Sequence, residues 1–435
     1  MVIREAGPDE WRTWRDLRLR ALADAPDAFG GTLEAAQARD EASWMTSTAK
    51  RHDAVSLFAE RDGVAVGMSF IMIADDQRKA DLYAMWVAPE ARGTGVGKQL
   101  VDAGLRWARS RAASDVALRV ADTAHAARRL YQRCGFRDNG ERSVVREGAP
   151  GMASTLVAKL PPLIMGVVNV TPDSFSDGGA YLDPAAAIAH GERLLGDGAD
   201  ILDIGGEATN PRAAAVDAAE EMRRVLPVIE GLATRAATVG AAISIDTTKA
   251  AVARAAVAAG ASIVNDVSGG LFDPEMAGAV AELGDSVTYI AGHLRGRSLP
   301  EVFAAEGSVS WQTVAAELAD RLREIGAKRA WIDPGIGFGK GADPEGNVAL
   351  LRHAGDIAST IRRPIVVGPS RKRFLRRLLA GPGQSASAVA REASMDELDA
   401  ASVLASLAAV RAGAQVVRVH NVALLRAALT AYNKE

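Results

Sequence analysis

The chain of 435 residues carries one cysteine, Cys134, which excludes an intrachain disulfide and any cysteine-rich metal centre. That scarcity fits a reducing compartment, and Cys134 itself reads as a small core residue. No apolar run is long enough to span a bilayer. The first ten residues, Met-Val-Ile-Arg-Glu-Ala-Gly-Pro-Asp-Glu, lack the basic segment followed by an apolar one that marks a secretion signal, so the cytoplasm is the expected location. Neither sign of charge is in excess: the formal net charge is −3, which gives no reason to expect nucleic-acid or membrane-surface binding. One basic stretch stands out, with seven Lys or Arg between Arg362 and Arg377, and for Arg373, Arg376 and Arg377 a solvated helix face accounts for it equally well. What remains, 48% hydrophobic and 24% charged residues, is an ordinary globular composition at a length that suggests two domains.

In the first 160 residues, Val2 to Glu5 reads as a short strand and Asp9 to Ala23 as an amphipathic helix, with Trp11, Trp14, Leu17 and Leu22 at helical spacing. Ala54–Glu60 and Val64–Ala74 read as strands joined by a tight Asp62-Gly63 turn. A third strand, Asp81–Ala88, leads into Arg92-Gly93-Thr94-Gly95-Val96-Gly97, after which the pattern from Lys98 to Arg109 is helical. A glycine-rich turn opening a helix presents bare N–H groups and the positive end of the helix dipole to a pyrophosphate, although three glycines also occur in plain turns. Met152 to Leu160 suits the last strand of this domain.

Strand, Arg-Gly-x-Gly-x-Gly and helix, followed by Ala126-Ala-Arg-Arg-Leu-Tyr131-Gln-Arg-Cys-Gly-Phe136, resembles the GNAT family of N-acetyltransferases over residues 1–160. The resemblance implies that acetyl-CoA is held by the Val87 backbone and by Arg92, Gly93, Gly95 and Gly97, and that Tyr131 protonates the departing thiolate. The alternative for Tyr131 is a packed core tyrosine. Ala124 stands where the family often has Asn, and no acidic residue announces itself as a general base.

Pro161-Pro162, a stiff spacer of roughly 6 Å, marks the boundary to a second domain over 161–435. From Leu163 onward strand-like and helix-like segments alternate. Eight strands are read: Leu163–Asn169, Asp200–Ile204, Ala242–Asp246, Ser262–Asn265, Ser286–Ile290, Ala330–Asp333, Pro364–Val367 and Gln415–Val419. Eight such units imply an α/β fold, a TIM (β/α)8 barrel preceded by an α+β domain, with a doubly wound open sheet as the alternative. Polar residues recur where these strands end: Asn169, Asp203, Asp246, Asn265, Asp333, Ser370, Lys372, Arg418 and His420. Any one of them alone serves as a turn or cap residue, but strand ends of a barrel converge on one axis, so their repetition points to a shared pocket.

The words around these positions are Asn169-Val-Thr-Pro-Asp-Ser-Phe-Ser-Asp-Gly-Gly, Asp203-Ile-Gly-Gly-Glu-Ala-Thr, Ser244-Ile-Asp-Thr, Asn265-Asp-Val-Ser-Gly-Gly, Asp333-Pro-Gly-Ile-Gly-Phe-Gly-Lys, Ser370-Arg-Lys and Arg418-Val-His-Asn. In this order they resemble the dihydropteroate synthases, over residues 163–435. The resemblance implies condensation of p-aminobenzoate with a pterin pyrophosphate, the pterin lying against Asp246, Asn265, Asp333 and Lys372. It assigns the pyrophosphate to Thr209, Arg418 and His420, a bridging Mg²⁺ to Asn169, and p-aminobenzoate to Ser370, Phe175 and Pro211. Catalysis then falls to Asp246, Lys372, Arg418 and His420, and a homodimer through the barrel is implied.

Two other readings share these features: a methyltetrahydrofolate-binding methyltransferase, and a non-catalytic pterin-binding scaffold. One loop departs from the family, reading Ala208-Thr209-Asn210-Pro211-Arg212 where Ser-Thr-Arg-Pro-Gly is usual. Either Arg212 restores the missing charge or it is a solvent-exposed loop residue.

Overall fold

The computed structural model of the chain divides into two compact units, Met1–Pro161 and Pro162–Glu435. It describes all residues except 148–150, 172–183, 209–215, 305–306, 342–343, 381–392 and 433–435.

The first unit is a seven-stranded sheet with helices packed on it. Its strands are β1 (Val2–Glu5), β2 (Ala54–Arg61), β3 (Val64–Ile73), β4 (Lys79–Val87), β5 (Asp115–Ala121), β6 (Arg137–Val144) and β7 (Met152–Lys159), in the spatial order β1-β2-β3-β4-β5-β7-β6. Asp62 and Gly63 both take positive φ, 52° and 78°, the two-residue hairpin turn whose twist matches that of the flanking strands. The helix Trp11–Asp24 buries Trp11, Trp14, Leu17, Ala21 and Leu22, one apolar stripe at the spacing the sequence announces. β6 escapes a reading based on alternation because seven of its eight residues are exposed, and its strand character comes only from pairing with β7. Cys134 is half-buried at the end of the helix His125–Arg133, where the sequence suggests a core position.

What matters for function is where this sheet fails to close. β4 bonds to β3 along most of its length but to β5 only through Lys79–Asp81 against Asp115–Ala117. Beyond that point the two strands part. A register shift opposite Met68 to Phe70 and a positive φ of 51° at Ala84 mark the bulge that re-aims β4 there.

The second unit holds β8 (Leu163–Asn169), β9 (Ile201–Gly205), β10 (Ala242–Asp246), β11 (Ile263–Asp266), β12 (Thr288–Gly292), β13 (Ala330–Asp333), β14 (Val366–Val367) and β15 (Val416–Val419). All pairs are parallel in the order β13-β12-β11-β10-β9-β8-β15-β14, and a bridge between Ile332 and Ile365 joins the two edges. That closure makes it a barrel and rules out the open sheet. The strand bodies are near-continuous apolar runs, as strands buried on both faces require. β14 is shorter than the sequence suggests. Pro364 has no N–H to donate, and the Ile365 N–H is taken by the Gln415 side chain at 2.9 Å, leaving two residues for the ladder.

At the end of β12, a Cβ on Gly292 would sit 2.4 Å from the Val267 carbonyl oxygen and 2.5 Å from its Cα. Only hydrogen fits there. Gly292→Ala should therefore lower the unfolding free energy by about 1–3 kcal/mol through overpacking against backbone that cannot yield, measured by denaturant titration of the purified variant. Wild-type stability in that variant would show that the loop after β11 moves freely.

Candidate active site

The carboxyl ends of the barrel strands bring together most of the polar residues singled out in the sequence. Asp203 on β9 is fully buried one layer below the strand ends, paired in register with Ser244, while Asp246 on β10 lies beside Asn265 on β11. Arg418 on β15 reaches across the barrel and joins them. Its Nε donates to Asp203 Oδ2 at 2.6 Å and its Nη2 to Asp246 Oδ2 at 2.7 Å. Asn265 Nδ2 donates to the same Asp203 oxygen at 3.1 Å. Asp203 belongs to the strand-end series in the sequence, yet nothing there distinguishes it as the residue that anchors the arginine.

The electrostatics follow from burial. Leaving water pushes the Asp246 carboxyl above the ordinary carboxylate range, and the nearby Arg418 guanidinium pulls it back only in part. Burial and the positive Arg418 lower Lys372. The Lys372 ammonium has no hydrogen-bond partner among the described residues and lies 5.6 Å from the centre of the Phe338 ring. The loop that carries Phe338 is shaped around this lysine: a Cβ on Gly337, which has a φ of 69°, would meet the Lys372 side chain at 3.1 Å. Asp333 Oδ1 accepts the Gly335 N–H at 2.7 Å, and the buried Lys340 donates to the carbonyls of His293 and Phe338 at 2.9 and 3.2 Å. Lys340 thus holds the loop in place, a role its position in the motif does not reveal.

Ser370 and His420 form a second pair at the rim. Ser370 Oγ lies 2.9 Å from His420 Nδ1 and accepts the His420 backbone N–H at 3.2 Å. Burial, reinforced by Arg371, Arg418 and Lys372, pushes His420 down to about 3. It is therefore a neutral imidazole near neutral pH and offers a hydrogen bond, not the positive charge a pyrophosphate site would suggest. Arg371 faces away from the pocket and pairs with Asp399 at 2.7 and 2.9 Å, and Arg373, Arg376 and Arg377 lie on an exposed helix face. Asp266, beside Asn265, is structural. Its carboxylate accepts from the Ser268 and Gly270 N–H groups, the Ser268 hydroxyl and the Tyr289 hydroxyl.

Asn169 ends β8 with its side chain exposed and without a hydrogen-bond partner among the described residues. Thr209, Phe175 and Pro211 lie outside the described residues, as do Asn210 and Arg212. The approach to that second loop is braced by Lys249, which bridges Glu207 and Glu221 at 2.6 Å each, while Glu207 accepts the Val216 N–H. With Arg418 laid across the carboxylates, the free space among Asp246, Asn265, Asp333, Phe338, Lys372 and Arg418 is about 50 Å³. That is room for about one or two waters.

In the first unit, Gly95 takes a φ of 86° and caps the helix Val96–Arg109, so the turn delivers unpaired N–H groups beside the parting of β4 and β5. Gly93 also has positive φ, and a Cβ on either residue would meet only open space, whereas one on Gly97 would strike Leu130 at 2.9 Å. The Val87 carbonyl is not free, because Arg92 Nε donates to it at 3.0 Å while the same guanidinium pairs with Asp24. Tyr131 is 7% exposed, packs against Phe136, and faces the cleft with a hydroxyl that has no hydrogen-bond partner among the described residues. Burial raises its pKa, which keeps the phenol protonated.

Comparison with known proteins agrees with this geometry. A family model described as pterin binding enzyme matches residues 165–420, and one for the acetyltransferase (GNAT) family matches residues 14–136. A dihydropteroate synthase of Mycobacterium leprae is 44% identical over 271 residues, covering 60% of this chain and 89% of the relative. Xanthomonas albilineans dihydropteroate synthase solved with 4-aminobenzoic acid superposes with a TM-score of 0.54 at 41% identity, covering 64% of this chain and 94% of that one. The same enzyme in complex with 7,8-dihydropteroate gives 0.51 at 39% identity, covering 63% and 93%. A buried polar cluster at the mouth of a closed parallel barrel, carried by a sequence of this kind, defines the class: the chain belongs to the pterin-binding enzyme family. Within it the barrel is of the dihydropteroate synthase kind, a transferase of folate biosynthesis, with a GNAT domain joined to its amino end.

Arg418 is the only positive group bonded to Asp203 and Asp246 among the described residues, so Arg418→Met should cost up to about 3–5 kcal/mol of stability at a pH where both carboxylates are driven to ionise. The sign of the pH dependence is set by Asp246. A carboxyl whose folded pKa is raised binds a proton that the unfolded chain has already lost, so stability falls as pH rises through that window. Without the guanidinium the window widens upward. The deficit of Arg418→Met should be small near about pH 5 and large near about pH 8, measured as the shift in thermal midpoint. A deficit independent of pH would mean the carboxylates find another partner.

Proposed function

We propose that the barrel condenses p-aminobenzoate with 6-hydroxymethyl-7,8-dihydropterin pyrophosphate and releases pyrophosphate. The carrying observation is the buried Arg418–Asp203–Asp246–Asn265 cluster. A pterin presents a guanine-like edge of donors and acceptors, and only ionised or amide groups held in a dry pocket match such an edge selectively. Asp246, Asn265, Asp333 and Lys372 receive it. As the pterin N–H groups take over the Asp246 carboxylate, Arg418 is released from that oxygen while Asp203 keeps its Nε anchored, and its free Nη groups turn to the pyrophosphate. One ion pair is exchanged for another, and the pocket opens as the arginine leaves it.

In the reaction the amine nitrogen of p-aminobenzoate attacks the pterin methylene carbon. The carbon–oxygen bond breaks, pyrophosphate leaves with the electron pair, and the amine proton passes to solvent. Arg418 stabilises the leaving group by charge and His420 by a neutral N–H, while Asp246 faces the positive charge that builds on the pterin. Ser370 holds His420 and, with Phe175 and Pro211, forms the p-aminobenzoate side; Thr209 adds a hydroxyl to the pyrophosphate. The exposed Asn169 carboxamide would hold a Mg²⁺ through its oxygen, a hard ligand of the kind that ion takes. When bound, that ion neutralises charge on the pyrophosphate.

We further infer that residues 1–160 form a separate acetyl-CoA-dependent N-acetyltransferase domain, with the Arg92–Gly97 turn on the cofactor pyrophosphate and Tyr131 as proton donor to the thiolate. We also propose a homodimer through the barrel, supported by the exposed apolar side chains of Leu378, Leu379, Met395 and Leu404, the last 69% exposed. The cytoplasm is the compartment this reading favours.

Incorporation of labelled p-aminobenzoate into dihydropteroate tests the main reaction. Asp246→Ala and Lys372→Ala should each lower turnover by about a hundredfold or more while the protein stays folded, since each removes a buried charged partner. Near-normal turnover in either variant would refute the pocket assignment. For the first domain, calorimetry with acetyl-CoA should show binding that Gly95→Asp abolishes, because Asp brings both a strained positive φ and a charge that repels phosphate.

A further inference from the structure

Where β4 and β5 part, the first unit encloses a cavity of about 580 Å³. Its wall carries Tyr131 and four arginines, Arg18, Arg39, Arg51 and Arg119, and no Asp or Glu among the described residues. Arg51 is answered by Asp53, at 2.9 and 2.7 Å. The other three have no carboxylate partner among the described residues. Arg39 donates to the Ser43 carbonyl and lies 4.2 Å from the Trp44 ring centre, and Arg119 donates to the Val144 carbonyl. Arg18 is the least satisfied. Its guanidinium lies 4.5 Å from the Phe29 ring centre, and its Nη1 is shut off from solvent with no hydrogen-bond partner among the described residues.

A guanidinium that lines the cavity without a carboxylate partner carries a desolvation cost, which an anion in the cavity offsets by meeting the accessible part of the group or by drawing Nη1 round to it. Burial, and after it repulsion from Arg39, already pull the Arg18 pKa downward. The cofactor does not account for these charges. No residue of the Arg92–Gly97 turn lines the cavity. Apart from Thr46, Ser47 and Tyr83 the rest of the wall, including Trp14, Phe70, Leu82 and Val145, is apolar and favours a compact hydrophobic body.

We propose that this cavity takes, as acetyl acceptor, a small primary amine that also bears a carboxylate, with Arg18 receiving the carboxylate and the amine facing Tyr131. The proposal rests on the acetyltransferase reading of the first domain. In the step, the neutral amine nitrogen attacks the thioester carbonyl carbon and the carbon–sulfur bond breaks. CoA leaves as thiolate and takes the Tyr131 hydroxyl proton, and the surplus proton on nitrogen passes to water, from which Tyr131 is reprotonated. The same arginines disfavour polyamines and lysine side chains, whose cationic ends they repel.

The test uses the full chain, acetyl-CoA and detection of released thiol. L-phenylalanine, L-methionine and 4-(aminomethyl)benzoate are each compared with their primary amides and with spermidine. At least one carboxylate form should exceed its amide by roughly tenfold or more in kcat/KM. Arg18→Met should raise the KM for that acceptor by roughly tenfold, Arg18→Lys should restore part of the loss, and Arg39→Gln should shift KM in the same direction as Arg18→Met. Acetyl-CoA affinity by calorimetry should be unchanged in all three variants. Thiol release confined to amides or spermidine, its absence across the carboxylates, or an unchanged KM in Arg18→Met would overturn the proposal. Failure of the wild-type chain to bind acetyl-CoA would overturn the acetyltransferase reading instead. The anion site is then judged by calorimetry with 4-(aminomethyl)benzoate, where equal affinity in wild type and Arg18→Met overturns it.

Discussion

The barrel site depends on one arrangement: a single arginine shared between two buried carboxylates. Two carboxylates side by side in a dry barrel repel each other as anions, and burial already pushes the Asp246 carboxyl above the ordinary range, so a cation between them offsets the cost of charge there. Arg418 supplies that cation from β15, while Asp203 and Asp246 come from β9 and β10, two and three strands away round the barrel, so the bonds tie non-adjacent strands together. The two carboxylates are not equivalent. Asp203 is fully buried and also accepts from Asn265, which makes it the fixed end; Asp246 lies at the pocket surface, where a ligand can displace the guanidinium.

Other features of the barrel mouth support that arrangement. Lys372 keeps its charge unbonded beneath the Phe338 ring, and Gly337 leaves the space it needs. Lys340 fixes the loop from below through two carbonyls, and Asp266 does the same for the neighbouring loop through four donors. The Lys372 ammonium in the pocket is thus left without a hydrogen-bond partner among the described residues, while Lys340 and Asp266 behind it are each held by two or more bonds. A dry pocket that must accept a polar ring requires this division, because open valences recognise and closed ones hold position.

The first unit uses the opposite sign of the same physics. There the sheet itself parts, and the space between β4 and β5 is lined with four guanidinium groups, of which only Arg51 pairs with a carboxylate among the described residues and Arg18 is the least satisfied. The barrel lays its arginine across two acids. The cleft keeps its arginines open.

Much of this was legible in the chain alone. Eight buried strands announced themselves as apolar runs, the polar residue at each strand end followed from the direction in which a parallel strand points, and Asp62-Gly63 and the Arg92–Gly97 turn carried their own backbone signals. These are local properties, and period, turn chemistry and strand polarity need no distant partner. What the tertiary structure decided was pairing. Nothing in the sequence near Asp203 separates it from the other strand-end acids, and only its burial opposite Arg418, 215 positions away, makes it the anchor. His420 reads as a cation until burial beside three positive groups makes it neutral. β6 has no apolar alternation and exists as a strand because β7 bonds to it. Arg18 reads as one more charge on an amphipathic helix, and only the fold places it at the wall of the cavity with a guanidinium nitrogen buried and without a partner among the described residues. Charge and hydrogen-bond capacity are written in the residue, but whether they are satisfied depends on what folding brings within about 3 Å.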